Sequence, residues 1–171
     1  MALVALVSKR GRAVLVAVRE SIVGTELWFA WAVAAVAMAG SLFFSEYASF
    51  PPCRLCWFQR IGMYPLTAIL LVAALRRDRR TAVQYAIWFP IVGSMVSWYH
   101  IYIENNPAAE SAACRRGVSC ATKWIDKFGY VTIPTLSATA FATIFVLLLF
   151  VWSRERALAV GEGPATDDSE A

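Results

Sequence analysis

The chain is short of charge: only 16% of its 171 residues are charged, against 59% that are hydrophobic. A soluble domain of this length cannot hide so much apolar surface from water, which excludes that class. No internal repeat is present, which excludes a solenoid. No aromatic–basic platform accompanies the net charge of +4, so the charge does not point to nucleic acid. The opening stretch, MALVALVSKRGRAVLVAVRESIVG, lacks a small-residue cleavage pattern, and Lys9–Arg12 and Arg19–Glu20 break its apolar runs. It reads as a cytoplasmic amphipathic lead over residues 1–24, not an export signal. The tail, 157–171, lacks aromatics, is rich in small and acidic residues, and is expected to be a disordered cytoplasmic end.

What is abundant is long apolar runs. Crossing a hydrocarbon core takes roughly 20 helical residues at about 1.5 Å each. Four segments qualify: Leu27–Phe44, Trp57–Leu75, Ala82–Ile103 and Ile133–Trp152. Pro65 and Pro90 fall inside the second and third and are expected to kink them, since neighbouring helices can satisfy the freed carbonyls. The basic residues set the topology. Lys9, Arg10, Arg12, Arg19, Arg76, Arg77, Arg79, Arg80, Arg154 and Arg156 fall on one side, ten against five (Arg54, Arg115, Arg116, Lys123 and Lys127) on the other. Both termini are therefore expected in the cytoplasm. The fold class that follows is an all-α membrane protein. One domain, 25–156, forms a four-transmembrane-helix bundle with a short interfacial helix in the second extracytoplasmic loop.

All four cysteines, Cys53, Cys56, Cys114 and Cys120, lie in the loops assigned to the outer side. Thiols there meet an oxidising environment, so disulfide chemistry is the expectation. A zinc site is disfavoured by the five residues between the second pair and by that oxidising environment. A Cys-x-x-Cys pair closes a very small loop and removes little unfolded-state entropy, so it suits opening and closing better than stapling. Pro51 and Pro52 lead into a helix starting near Cys53–Trp57, so Cys56 falls in a first turn whose unpaired N–H groups favour a negative sulfur. Arg60 follows four residues on, on the same helical face and roughly 6 Å deeper. A cation there suits the polar edge of an apolar electron acceptor, and a quinone fits. Its ring and tail belong in the bilayer, its carbonyls accept hydrogen bonds, and reduction leaves charge to be stabilised.

The second loop, 104–131, is long for a connector. Its pair, CRRGVSC, is flexible through Gly117, with Arg115 and Arg116 placed to favour a thiolate at Cys114. In KWIDKFGYV, helical spacing would put Trp124, Ile125 and Phe128 on one side of a short helix lying along the interface. His100, the only histidine, stands near the outer end of the third span in SWYHIYIE, at a depth similar to Arg60, and is a candidate for a quinone-side or proton-handling role. Tyr64, Tyr99 and Gln59 read as packing or belt residues.

From about Leu27 to Trp152 the chain resembles the DsbB/BdbC family of quinone-linked thiol oxidoreductases, its compact BdbC-type branch in particular. The resemblance rests on PCRLCWFQRIGMYPL, WYHIYIE, CRRGVSC and FGYVTIPTLSATAF. It implies a four-helix enzyme of the bacterial cytoplasmic (inner) membrane that generates disulfides de novo. By similarity, Cys56 would be the quinone-proximal sulfur, with Arg60 at the headgroup of the cofactor, a ubiquinone or menaquinone. Cys114–Cys120 would oxidise an extracytoplasmic thioredoxin-fold thiol oxidase of the DsbA/BdbD kind. Electrons would pass from that partner to Cys114–Cys120, then to Cys53–Cys56, then to quinone. The second-loop cysteines are closer together here than in the DsbB branch, which leaves open which of Cys114 and Cys120 attacks the partner. Vitamin K epoxide reductase-like proteins place the loop pair first, the reverse of the order here. A competing reading is a non-catalytic membrane adaptor whose loop disulfides hold a partner-binding surface.

Overall fold

The computed structural model describes residues 25–115 and 117–161. The amphipathic lead 1–24, Arg116 and the tail beyond 161 lie outside the described residues. The elements are α1 (Glu26–Leu42), a π-helical continuation (Phe43–Tyr47), α2 (Arg54–Arg76), α3 (Arg79–Ala86), α4 (Trp88–Asn105), a 3-10 turn (Pro107–Ala109), α5 (Ala112–Arg115) and α6 (Ile133–Gly161). Among the described residues four helical stretches are long and apolar enough to cross a membrane: Glu26–Tyr47, Arg54–Arg76, Ala82–Asn105 and Ile133–Ala157. They form an all-α four-helix bundle, each packing on two neighbours in the cyclic order α1, α2, α4, α6.

The two prolines act differently. A proline ring clashes with the carbonyl four residues earlier, and for Pro90 that residue is Ala86, where α3 ends before α4 begins at Trp88. The third span is therefore two helices meeting at Ile87. Pro65 is accommodated inside α2, which runs unbroken. α6 extends past Trp152 into the first residues assigned to the tail.

Leu66 and Leu70 of α2 and Phe141, Ile144 and Leu148 of α6 are fully buried at the bundle centre. Close approach of α4 and α6 depends on Gly93, where a Cβ would lie 2.4 Å from the Phe141 ring. At the end of the bundle away from the cysteines, buried Glu26 of α1 pairs with Arg154 of α6 and, at 3.8 Å, with Arg79 of α3. Two arginines whose number indicates topology thus also clamp helix ends.

The expected interfacial helix does not form. Residues 123–131 make turns closed by a bridge between Lys127 and Val131. Phe128 and Gly129 both take positive φ, 58° and 76°, a reversal that glycine permits and a helix cannot contain. Trp124 and Phe128 consequently share no face: Phe128 is 86% exposed, while Trp124 stacks on Phe50 at 5.2 Å.

Candidate functional site

Two consecutive prolines cannot donate backbone hydrogen bonds, and after them the chain enters α2 with Cys53 as the N-cap. The Cys53 sulfur accepts the backbone N–H of Cys56 at 3.3 Å, taking the place that a Ser or Asp oxygen usually fills. The two sulfurs stand 2.8 Å apart, within a small side-chain movement of the ~2.05 Å bond of a disulfide. The sulfur stabilised at the helix start is therefore that of Cys53, not Cys56 as the spacing suggested, because the cap side chain and not the first-turn side chain meets the free N–H groups. The Cys53 thiol is held down to about 4, first by the hydrogen bond from the Cys56 thiol and further by His100, against the opposing effect of burial.

The second pair is joined as a disulfide, Cys114–Cys120. It packs with Cys53, Leu55 and Ile103 in one buried cluster. Glu110, itself buried, organises the loop: its carboxylate accepts the Cys120 N–H at 2.6 Å and the Ser119 hydroxyl at 2.8 and 3.0 Å. His100 of α4 is 3% exposed and sits between the pairs. Its Nε2 lies 3.1 Å from the Cys120 carbonyl and 3.7 Å from the Cys53 sulfur. Gln59 Nε2 lies 3.2 Å from its Nδ1. An amide N–H₂ donates only, so Nδ1 accepts and the ring proton sits on Nε2, facing the carbonyl and the sulfur.

Cys56 packs on the edge of the same cluster and has a second neighbour. With Pro52, Gln59, Arg60, Tyr64 and Trp124 it lines a cavity of about 600 Å³ whose walls are otherwise mainly apolar. His100 is not among the residues that line it: its Nε2 faces the Cys120 carbonyl and the Cys53 sulfur, while its Nδ1 meets Gln59, which does line the cavity. Arg60 does line it, and it does not reach for the membrane surface. Its Nε donates to Ser41 Oγ and its NH2 to the Ser41 carbonyl, both at 2.9 Å, and its guanidinium lies 5.3 Å from the Trp57 ring centre. A ring-widening π segment begins two residues after Ser41, a deviation often found at functional sites.

The cavity suits an apolar ring bearing carbonyl groups. Arg60 supplies a fixed cation beside the Cys56 sulfur. Cys53, Cys56 and His100 also bring three ligand atoms within 4.8 Å of one another, as do Glu110, Cys114 and Cys120; the Cys114–Cys120 bond leaves the second group without thiolates. Gln59 and Tyr64 were missed as cavity residues, although their spacing of three and eight from Cys56 places them on its helical face.

Comparison with known proteins gives the family. The family described as "Disulfide bond formation protein DsbB" matches residues 25–152. A probable disulfide formation protein C of Halalkalibacterium halodurans is 46% identical over 123 residues, 71% of this chain and 88% of that one. A probable disulfide formation protein C 2 of Bacillus cereus is 43% identical over 126 residues, 74% and 90% of the two chains. The disulfide bond formation protein C of Bacillus subtilis is 42% identical over 124, 71% and 88%. No solved structure matches. With the match covering most of the chain and both cysteine pairs, the chain belongs to the DsbB family of disulfide bond formation proteins.

Proposed function

We propose that the protein is a membrane thiol–disulfide oxidoreductase that makes disulfides de novo. In this reading it oxidises a thioredoxin-fold dithiol protein outside the bacterial inner membrane and passes the electrons to a membrane quinone. Both termini are cytoplasmic, and the cysteine end of the bundle faces outward. One observation carries the reading: the two sulfurs of one Cys-x-x-Cys pair face two neighbours, Cys53 the loop disulfide and Cys56 the cavity beside Arg60.

The chemistry balances as a chain of exchanges. The partner's two thiols reduce Cys114–Cys120, and one S–S bond breaks as the partner's forms. The resulting loop thiols reduce the Cys53–Cys56 disulfide, re-forming Cys114–Cys120. His100 Nε2–H faces Cys53, where it stabilises negative charge on sulfur during that exchange. A bound quinone supplies an acceptor for two electrons and two protons, leaving Cys53–Cys56 oxidised. Arg60, fixed by Ser41, offers a cation to a ring oxygen, and the apolar walls keep water from the sulfur.

The test is anaerobic quinone reduction by purified protein with reduced partner. Cys56→Ser is expected to abolish reduction with the fold intact. Cys114→Ser is expected to stop reduction by the protein partner yet spare that by a small dithiol. Disulfides that stay inert in wild-type protein would instead mark a structural adaptor.

A further inference from the structure

Cys53, Cys56 and His100 bring two sulfurs and an imidazole nitrogen within 4.8 Å of one another at the cysteine end of the bundle. Cys-x-x-Cys is a spacing that zinc sites use, and the widely spaced second pair that told against zinc is replaced here by His100. A tetrahedral ion held by sulfur at about 2.3 Å and nitrogen at about 2.0 Å sets sulfur and nitrogen about 3.5 Å apart and two sulfurs about 3.7 Å apart. The Cys53 sulfur already lies 3.7 Å from His100 Nε2. The two sulfurs, at 2.8 Å, stand between two states. Closing to ~2.05 Å makes a disulfide, and opening by about 1 Å makes room for an ion.

We infer that the reduced Cys53–Cys56 pair and His100 form a binding site for one Zn²⁺ ion. Zinc takes sulfur and nitrogen ligands and has no redox chemistry of its own, so binding releases the thiol protons and moves no electrons. His100 binds through Nε2, and its ring proton then sits on Nδ1. The Gln59 amide, 3.2 Å from Nδ1, turns over to accept that proton with its oxygen, the outer-shell bond that zinc-bound histidines commonly make. The Cys120 carbonyl, 3.1 Å from Nε2, stands beside the fourth position. Two thiolates cancel the charge of the ion, so the nearby Arg60 meets no net cation. Cys56 lines the large cavity and Cys53 a second groove with Arg54, Trp57 and Gly117, which gives the ion a way in. A zinc-bound pair has no free thiolate, so the ion halts thiol exchange, and a Cys53–Cys56 disulfide cannot take it up. This site stands apart from the quinone reading and does not depend on it.

The test uses purified protein reduced anaerobically with a phosphine, which leaves no competing thiol, and dialysed against Zn²⁺. Reduced protein is expected to retain zinc and protein oxidised with diamide to retain none. Reduction also frees Cys114 and Cys120, which with Glu110 make a second set of ligand atoms. The measurement is therefore repeated with both loop cysteines replaced, Cys114→Ser and Cys120→Ser together, where one ion per chain is expected to remain. His100→Ala is expected to weaken binding by more than about tenfold, since the loss of even an outer-shell partner costs about 10–100-fold. X-ray absorption by one equivalent of zinc on reduced wild-type protein reads the ligands without any substitution: two sulfurs and an imidazole nitrogen are expected. Sulfur accompanied by carboxylate oxygen and no nitrogen would put the ion on the loop pair and overturn the inference. Zinc uptake that is absent from the reduced protein, equal in the oxidised protein, or unchanged in His100→Ala would overturn it as well.

Discussion

Cys53 and Cys56 are separated by two residues and have different neighbours. Cys53 is the N-cap, 4% exposed, with a backbone N–H, a thiol and an imidazole all directed at its sulfur. Every one of those contacts favours the anion, and only burial opposes it. With the folded value depressed to about 4 from 9.0, the thiolate's contribution to stability is complete above the ordinary thiol range and is lost as pH falls through the folded value. In the reduced protein, ultraviolet thiolate absorbance is accordingly expected to persist to about pH 4 and to be missing in Cys53→Ser. His100→Ala removes one of the donors and is expected to move that midpoint upward. A midpoint unmoved by the histidine substitution would remove His100 from the contact.

At the scale of elements, the long second loop is held in place by one carboxylate. Glu110 gathers the Ser119 hydroxyl and the Cys120 N–H, and Cys120 in turn offers its carbonyl to His100 on α4. The loop disulfide is thereby docked on Cys53 instead of wandering over the surface. Trp124 pins the far end of the same loop to Phe50. Glu110→Ala leaves a buried amide unmet, a cost of about 1–3 kcal/mol, and is expected to speed amide exchange across 110–121. Glu110→Gln keeps an acceptor oxygen and is expected to exchange close to the wild-type rate. Equal acceleration in both would show that the charge, not the hydrogen bonds, orders the loop.

For the whole molecule, the end of the bundle remote from the cysteines is closed by a charged clamp as well as by apolar packing of Leu27, Ala82, Ala86 and Val151. Glu26 is 1% exposed and joins α1 to α6 and α3 through Arg154 and Arg79, whose side chains keep 23% and 33% of their exposure. Because both arginines remain partly wet, the cost of Glu26→Gln is set below that of a fully buried pair, at about 1–3 kcal/mol. Thermal unfolding in detergent is expected to show a lowered midpoint, with the redox cluster at the other end unaffected. A midpoint equal to that of wild type would show the clamp to be energetically idle.

The helices were legible along the chain because they are compositional, and so was the grouping of the cysteines by spacing, of which the structure bonds Cys114 to Cys120 and leaves Cys53 and Cys56 as thiols. An apolar run of sufficient length must be a helix in a bilayer, where no water can satisfy the backbone, and residues four apart on a helix share a face, which placed Arg60 below Cys56. Some departures were local, as at the Cys53 cap; others turned on the approach of distant segments. Whether 123–131 coils or turns depended on Gly129 taking a left-handed conformation and on Trp124 finding Phe50. Whether His100 serves the cavity or the loop disulfide depended on Gln59 and on the Cys120 carbonyl, from segments 41 and 20 residues away. The sequence by itself determined which stretches are long and apolar enough to span a membrane and where the two cysteine pairs fall. Only the tertiary structure decided which sulfur faces which neighbour, because the direction of a side chain at a helix start is set by what packs against it.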